Sequence, residues 1–167
     1  PYTIIAQDYF GISVAGIGDL DGDGVPDLAV GANGDDDGEI GTGAVYMLFL
    51  TTDGLVKSAS KISNLYGNLP YTIDSYDRIF SSSAYIGDLD GDGVTEIVMG
   101  AYQDDDGDTN AGAAYVLFFQ TDGTVKSGQK ISNSYGGLSS FYSIGSGGNF
   151  WEMSWRYLRY HRYLSNT

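Results

Sequence analysis

The chain has 167 residues with 22 acidic and 8 basic side chains, a formal net charge of -14. That length suits one domain of ordinary size, and that charge repels nucleic-acid backbones and anionic membranes, so no nucleic acid and no membrane insertion are expected. Cysteine is absent, which excludes disulfides and thiolate metal sites, and the 25 glycines favour many turns over long helices.

No stretch of about 18 apolar residues occurs, so the chain is expected to be soluble. Pro1 begins nothing like a signal peptide, so the native start is expected to be missing. From residue 10 an apolar-rich run, Phe10 to Ile17, leads into an acidic glycine loop, Gly18 to Asp27, and then into the short apolar run Leu28 to Ala32. The turn Asp35-Asp36-Asp37-Gly38 follows, then Gly43 to Leu50, the tight turn Thr52-Asp53-Gly54, and Val56 to Ser63. Runs of this length, rich in Val, Ile, Tyr and Phe and bounded by Gly and Asp, are strands joined by hairpins.

Shifted by 69 positions, the sequence overlays itself without a gap, with about 40 of 69 positions identical. Residues 1–69 and 70–138 are therefore two copies of one four-stranded antiparallel unit. A third copy begins near Ser139 and fails, leaving 139–167 as a degenerate repeat and an aromatic, basic tail. Leu28 to Val30 and Tyr46 to Leu50 are apolar without alternation, so these strands need cover on both faces. A lone four-stranded sheet cannot provide that cover, and the two units are expected to stack face to face.

The strongest chemical signal is Asp19-Leu20-Asp21-Gly22-Asp23-Gly24-Val25-Pro26-Asp27, repeated as Asp88-Leu89-Asp90-Gly91-Asp92-Gly93-Val94-Thr95-Glu96. Oxygen ligands at loop positions 1, 3, 5 and 9 with a carbonyl from position 7 make a shell that Ca²⁺ accepts, and the glycines permit the curl. The first set is Asp19, Asp21, Asp23, the Val25 carbonyl and Asp27; the second is Asp88, Asp90, Asp92, the Val94 carbonyl and Glu96. Two Ca²⁺ per chain are expected, the first held more tightly because Glu96 carries one methylene more than Asp27. An EF-hand would place a bidentate acid at position 12; Val30 and Met99 stand there, so the loop lies between strands.

With these residues on the page, Phe10-Gly11, the Asp-rich loop, Leu28-Ala29-Val30-Gly31-Ala32 and Gly43-Ala44-Val45-Tyr46 resemble the FG-GAP repeat of integrin α-subunit β-propellers and of bacterial secreted relatives. The resemblance covers residues 1–138. It implies one propeller blade per repeat, Ca²⁺ between the first two strands, and the ligand sets just named. The second copy departs from the pattern, with Ile79-Phe80 where the first has Phe10-Gly11. Propellers of the family commonly have seven blades, and two repeats make a partial one.

Elsewhere the chemistry is thin. The turns Asp35 to Asp37 and Asp104 to Asp106 are read as solvated turns rather than as a second cation site, and Tyr46 and Tyr115 as blade packing rather than a ligand platform. The single histidine, His161, lies outside both repeats, so no Ser-His-Asp set can form within the unit and the chain is read as non-catalytic. In the tail, Trp151, Trp155, Leu158 and Arg162 fall at helical spacing. A short helix folding back as a flap is expected there, and a shifted reading frame in a former third blade is the hypothesis for its origin, which the coding DNA would decide.

The reading is an all-β, calcium-binding partial propeller that acts in recognition or adhesion, extracellular or at the cell surface, toward an unidentified protein or carbohydrate. The alternatives are an accessory domain of a secreted hydrolase, or a truncated product without selected function. Two blades cannot close a propeller, so a homo-oligomer is expected.

Overall fold

The computed structural model describes residues 2–141. Eight strands form two four-stranded antiparallel sheets with simple meander order. The first sheet holds β1 (Ser13–Gly18), β2 (Asp27–Ala32), β3 (Ala44–Leu50) and β4 (Val56–Ile62). The second holds β5 (Ser82–Gly87), β6 (Glu96–Ala101), β7 (Ala113–Phe119) and β8 (Val125–Ile131). One 3₁₀ turn, Leu138–Ser140, follows. The tail helix, the flap and His161 lie outside the described residues.

The repeat extends to single pairings. Val14 opposes Val30 as Ser83 opposes Met99, and Tyr46 opposes Lys61 as Tyr115 opposes Lys130. Each sheet also shifts register at the end of its first strand, at Gly16/Gly18 and at Tyr85/Gly87. The edges of the sequence runs are trimmed. The first strand begins at Ser13 rather than Phe10, because Tyr9 (φ 54) and Gly11 (φ 95) turn left-handed and cannot join a ladder. Arg78 (φ 52) and Phe80 (φ 69) repeat the turn in the second copy. The Ile79-Phe80 departure therefore leaves the strand entry intact, with Phe80 bearing the left-handed φ that glycine bears in the first copy. Its strain is offset by burial, since Phe80 is sealed in the core.

The two sheets stack face to face and share one core. Ile17, Leu20, Met47 and Phe49 of the first meet Ile79, Phe80, Met99 and Leu117 of the second; full burial of each such side chain stabilises by roughly 1.5–3 kcal/mol. Hydrogen bonds seam the junction. Ser13 Oγ donates to the Phe80 carbonyl at 2.9 Å, Thr95 Oγ1 to the Ile17 carbonyl at 2.8 Å, and the Ile79 N–H to the Thr42 carbonyl at 3.0 Å. The approach is so close that a Cβ on Gly31 would lie 2.3 Å from the Phe80 carbonyl oxygen. Only glycine fits there.

Tyr46 and Tyr115 are buried in β3 and β7, as packing residues should be. The continuous apolar runs of β2 and β3 are nearly all buried, with cover on both faces. This all-β pair of antiparallel sheets fits two blades of a partial propeller.

Candidate metal centre

Each acidic loop leaves the first strand of a sheet and returns at the head of the second. Gly22 (φ 77) and Gly24 (φ 89) curl the first, Gly91 (φ 78) and Gly93 (φ 88) the second. The aspartates then wrap their own backbone. Asp19 accepts the Asp23 N–H at 2.9 Å and the Gly24 N–H at 2.8 Å, and Asp23 accepts the Val25 N–H at 2.9 Å. In the second loop Asp88 accepts the Gly91 N–H at 2.7 Å and the Gly93 N–H at 2.9 Å, and Asp92 accepts the Val94 N–H at 2.8 Å. Both oxygens of Asp19 and both of Asp88 thus accept from N–H groups of their own loop, which fixes the orientation of these carboxylates.

The floor of each site is buried. Asp27 sits fully enclosed at the start of β2, where its two oxygens accept the Leu20 and Leu50 N–H groups, each at 3.0 Å. Glu96 holds the same place in β6 and accepts the Leu89 N–H. Burial raises the Glu96 carboxyl above its ordinary value, against the pull of that N–H.

The second loop gathers four carboxylates. Asp88, Asp90, Asp92 and Glu96 each place an oxygen within 4.8 Å of the others. The longer Glu96 side chain reaches the cluster, so the methylene that distinguishes it from Asp27 does not remove it from the set. In the first loop Asp19, Asp21 and Asp27 come together by the same measure, while Asp23 stands outside the group. Oxygens on opposite sides of a Ca²⁺ lie about 5 Å apart, at 2.3–2.6 Å from the ion each. Both groupings therefore suit one Ca²⁺ in size, and their all-oxygen character suits a hard cation. The residues at the position where an EF-hand needs its bidentate acid, Val30 and Met99, are apolar and lie inside β2 and β6.

Sequence reasoning missed the lysines. Lys57 pairs with Asp21 at 2.7 Å and with Asp23, and Lys126 pairs with Asp90 at 2.9 Å and with Asp92. Hydrogen bonds that it donates to Asp21 and Asp23 hold the Lys57 ammonium above its ordinary value, and those donated to Asp92 and Asp90 do the same for Lys126. In return Lys57 lowers Asp23 and Lys126 lowers Asp92, each helped by the backbone N–H two residues on. Asp23 stands outside the first cluster although Asp92, with the equivalent lysine contact, belongs to the second. The signal was present: four of the eight basic residues are lysines, and they recur as Lys57/Lys126 and Lys61/Lys130 at the repeat shift.

The second lysine pair corrects the reading of the triple-Asp turns. Asp35 and Asp104 are buried, not solvated. Lys61 bridges Asp35 at 2.8 Å and Asp37 at 2.6 Å, and Lys130 bridges Asp104 at 2.8 Å and Asp106. Tyr115 donates to Asp104 at 2.6 Å and Tyr46 to Asp35 at 3.3 Å, closing a clasp between the turn, β3 and β4 or their counterparts. A carboxylate beside a strand face can be buried because an ammonium from the next strand comes with it. Burial pulls the Lys61 ammonium down, yet the hydrogen bonds it donates to Asp35 and Asp37 outweigh it and hold the group above its ordinary value.

Asp77 is a further acid the sequence did not single out. It borders a polar cavity of about 350 Å³ with Asp74, Asp104 and Lys130. Burial, then the nearby Asp104, pushes its carboxyl up to about 7.

Residues 10–48 and 80–117 match the FG-GAP repeat family. The first match runs from Phe10, just ahead of β1, into β3, the second from Phe80 into β7, and each encloses one acidic loop. Residues 10–48 and 80–117 are thus two FG-GAP repeats, one in each four-stranded sheet, and the two sheets fit blades of a partial β-propeller.

Proposed function

We propose that the chain is a calcium-stabilised, non-catalytic recognition or adhesion module that works outside the cell or at its surface. The observation that carries this reading is the convergence of Asp88, Asp90, Asp92 and Glu96 within 4.8 Å, matched by Asp19, Asp21 and Asp27 at the same places in the first sheet. Four carboxylates at that spacing repel one another, and a divalent cation removes the repulsion. Val25 and Val94 are the carbonyl donors that complete each set, and Asp23 joins the first set when it exchanges Lys57 for the ion. Millimolar extracellular calcium suits loops of this kind.

Calcium here holds the hairpin between the first two strands closed, which fixes the rim of each blade for a protein or carbohydrate partner. Titration calorimetry tests it, with an expected stoichiometry of two Ca²⁺ per chain and the loss of one in Asp23→Ala. Binding to the folded state alone stabilises by about 2.7 kcal/mol at a hundredfold excess over the dissociation constant. Chelator therefore lowers the melting temperature. No heat of calcium binding, or melting unchanged by chelator, overturns the assignment.

A further inference from the structure

The junction between the two sheets joins two kinds of face, each of which the chain carries twice. The first sheet turns Ser13, Ala15 and Ile17 toward the second. The equivalent residues of the second sheet, Ser82, Ala84 and Ile86, face outward. Ile17 is 0% exposed and Ile86 40%; Leu20 is 1% exposed and Leu89 61%. The same holds on the other side of the junction. Ile79 is 0% exposed, while Phe10 at its position in the first sheet is 40% exposed and Val14 60%. One molecule thus presents, at its two ends, the two apolar halves of a junction it already contains once.

The fit extends to the backbone. In the internal junction the strap formed by residues 76–81 lies across the ends of β2 and β3, with the Tyr76, Arg78 and Ile79 N–H groups donating to the Ile40, Gly41 and Thr42 carbonyls. A Cβ on Gly31 or Gly43 would meet the Phe80 or Ile79 carbonyl at 2.3 or 2.4 Å. At the corresponding Gly100 and Gly112 the described residues supply no strap, and a recess of about 270 Å³ opens beside Ala113 and Ala114. The first sheet carries a strap of the same shape. Gln7 (φ 82), Tyr9 (φ 54) and Gly11 (φ 95) repeat the left-handed pattern of Tyr76 (φ 70), Arg78 (φ 52) and Phe80 (φ 69).

We propose that a second copy of this chain docks its first sheet, through the strap at residues 7–12 and Val14, onto the recess of the second sheet around Ala84, Gly100 and Gly112. The rival occupant is the chain's own segment 142–167. In register with Ile79 and Phe80 that segment has Gly148 and Asn149, which offer no apolar side chain to the recess. The contact is head to tail, so it either closes into a ring or continues as a fibre. Propellers close with four to eight blades, which corresponds to roughly two to four copies of a two-sheet chain. This goes beyond the calcium reading, and its readout, particle mass, is separate from metal uptake.

Light scattering on the full chain in calcium-containing buffer tests the proposal with two variants at exposed positions. Ala84→Arg blocks the recess and leaves the strap face intact; Val14→Asp does the reverse. The wild-type chain is expected at a multiple of 17.9 kDa. Each variant alone is expected at 17.9 kDa, and their equimolar mixture at twice that mass, because one good junction remains between them. The heterodimer also proves that both variants fold. A wild-type monomer at all micromolar concentrations overturns the proposal in favour of segment 142–167 as the cover. Variants that retain the wild-type mass, or a mixture that stays monomeric, overturn it in favour of another surface.

Discussion

The two sheets share about 40 of 69 residues and the same strand pairings, yet identical side chains meet different fates in them. Ile17 and Leu20 are sealed, while Ile86 and Leu89, their counterparts in the second copy, are open to solvent. The acidic loops differ in the same spirit. Asp23 and Asp92 each touch a lysine, yet Asp23 stands outside its cluster and Asp92 stays in the group. Burial and ligand geometry are therefore set by what stands opposite a residue, and repetition of sequence guarantees only the frame.

The sharpest way to break the comparison is through the buried clasps. Lys61→Ala leaves Asp35 without its counter-charge, which is expected to cost about 3–5 kcal/mol in urea unfolding. Lys130→Ala is expected to cost less, because the Lys130 side chain is 16% exposed against 5% for Lys61, and water compensates part of the loss. A larger loss for Lys130 would mean that the second clasp, not the first, anchors the fold.

Next in size is the isoleucine pair. Ile17→Ala is expected to destabilise by about 2–5 kcal/mol, as a large-to-small change in a packed core does. Ile86→Ala, measured at concentrations where the chain is monomeric, is expected to stay within about 0.5 kcal/mol. Equal losses would show that the outer face of the second sheet is covered within a single chain.

Asp77 adds a pH dependence confined to the second copy. Its folded-state carboxyl is held up to about 7, against 3.8 for the free side chain, so the folded state binds more protons across that window. Stability attributable to Asp77 therefore falls as pH rises from about 4 to 7. Asp77→Asn is expected to remove this component, flattening the difference between melting temperatures at pH 5 and pH 8. An unchanged profile would show that Asp77 ionises like a solvated acid.

The smallest expected effect concerns the lysines at the loops. Lys57→Gln frees Asp23 from its ion pair, and the first loop is expected to bind Ca²⁺ several-fold more tightly, with the folded chain less stable in chelator. Calorimetry of this variant beside Lys126→Gln separates the loops; identical gains would show that Asp23 and Asp92 are equally available to the ion.

What the sequence determined by itself was everything local and periodic. The 69-residue shift set the number of sheets, the apolar runs set the strands, and the Asp-Gly spacing set the loops, because turn chemistry and strand pairing depend on near neighbours. The FG-GAP motif was legible for the same reason, since its glycines and aspartates act within a single turn. The clasps were not legible. Asp35 and Lys61 lie 26 residues apart and meet only because β3 and β4 pair, so a run of aspartates that looks solvated in sequence is a buried ion pair in the fold. Nor could the sequence tell Leu20 from Leu89, or show that Phe80 bears a left-handed φ for the sake of its carbonyl contact with Ser13. Those were decided by the stacking of one sheet on the next, because burial belongs to the pair of surfaces that meet and the chain carries each surface twice but joins them once.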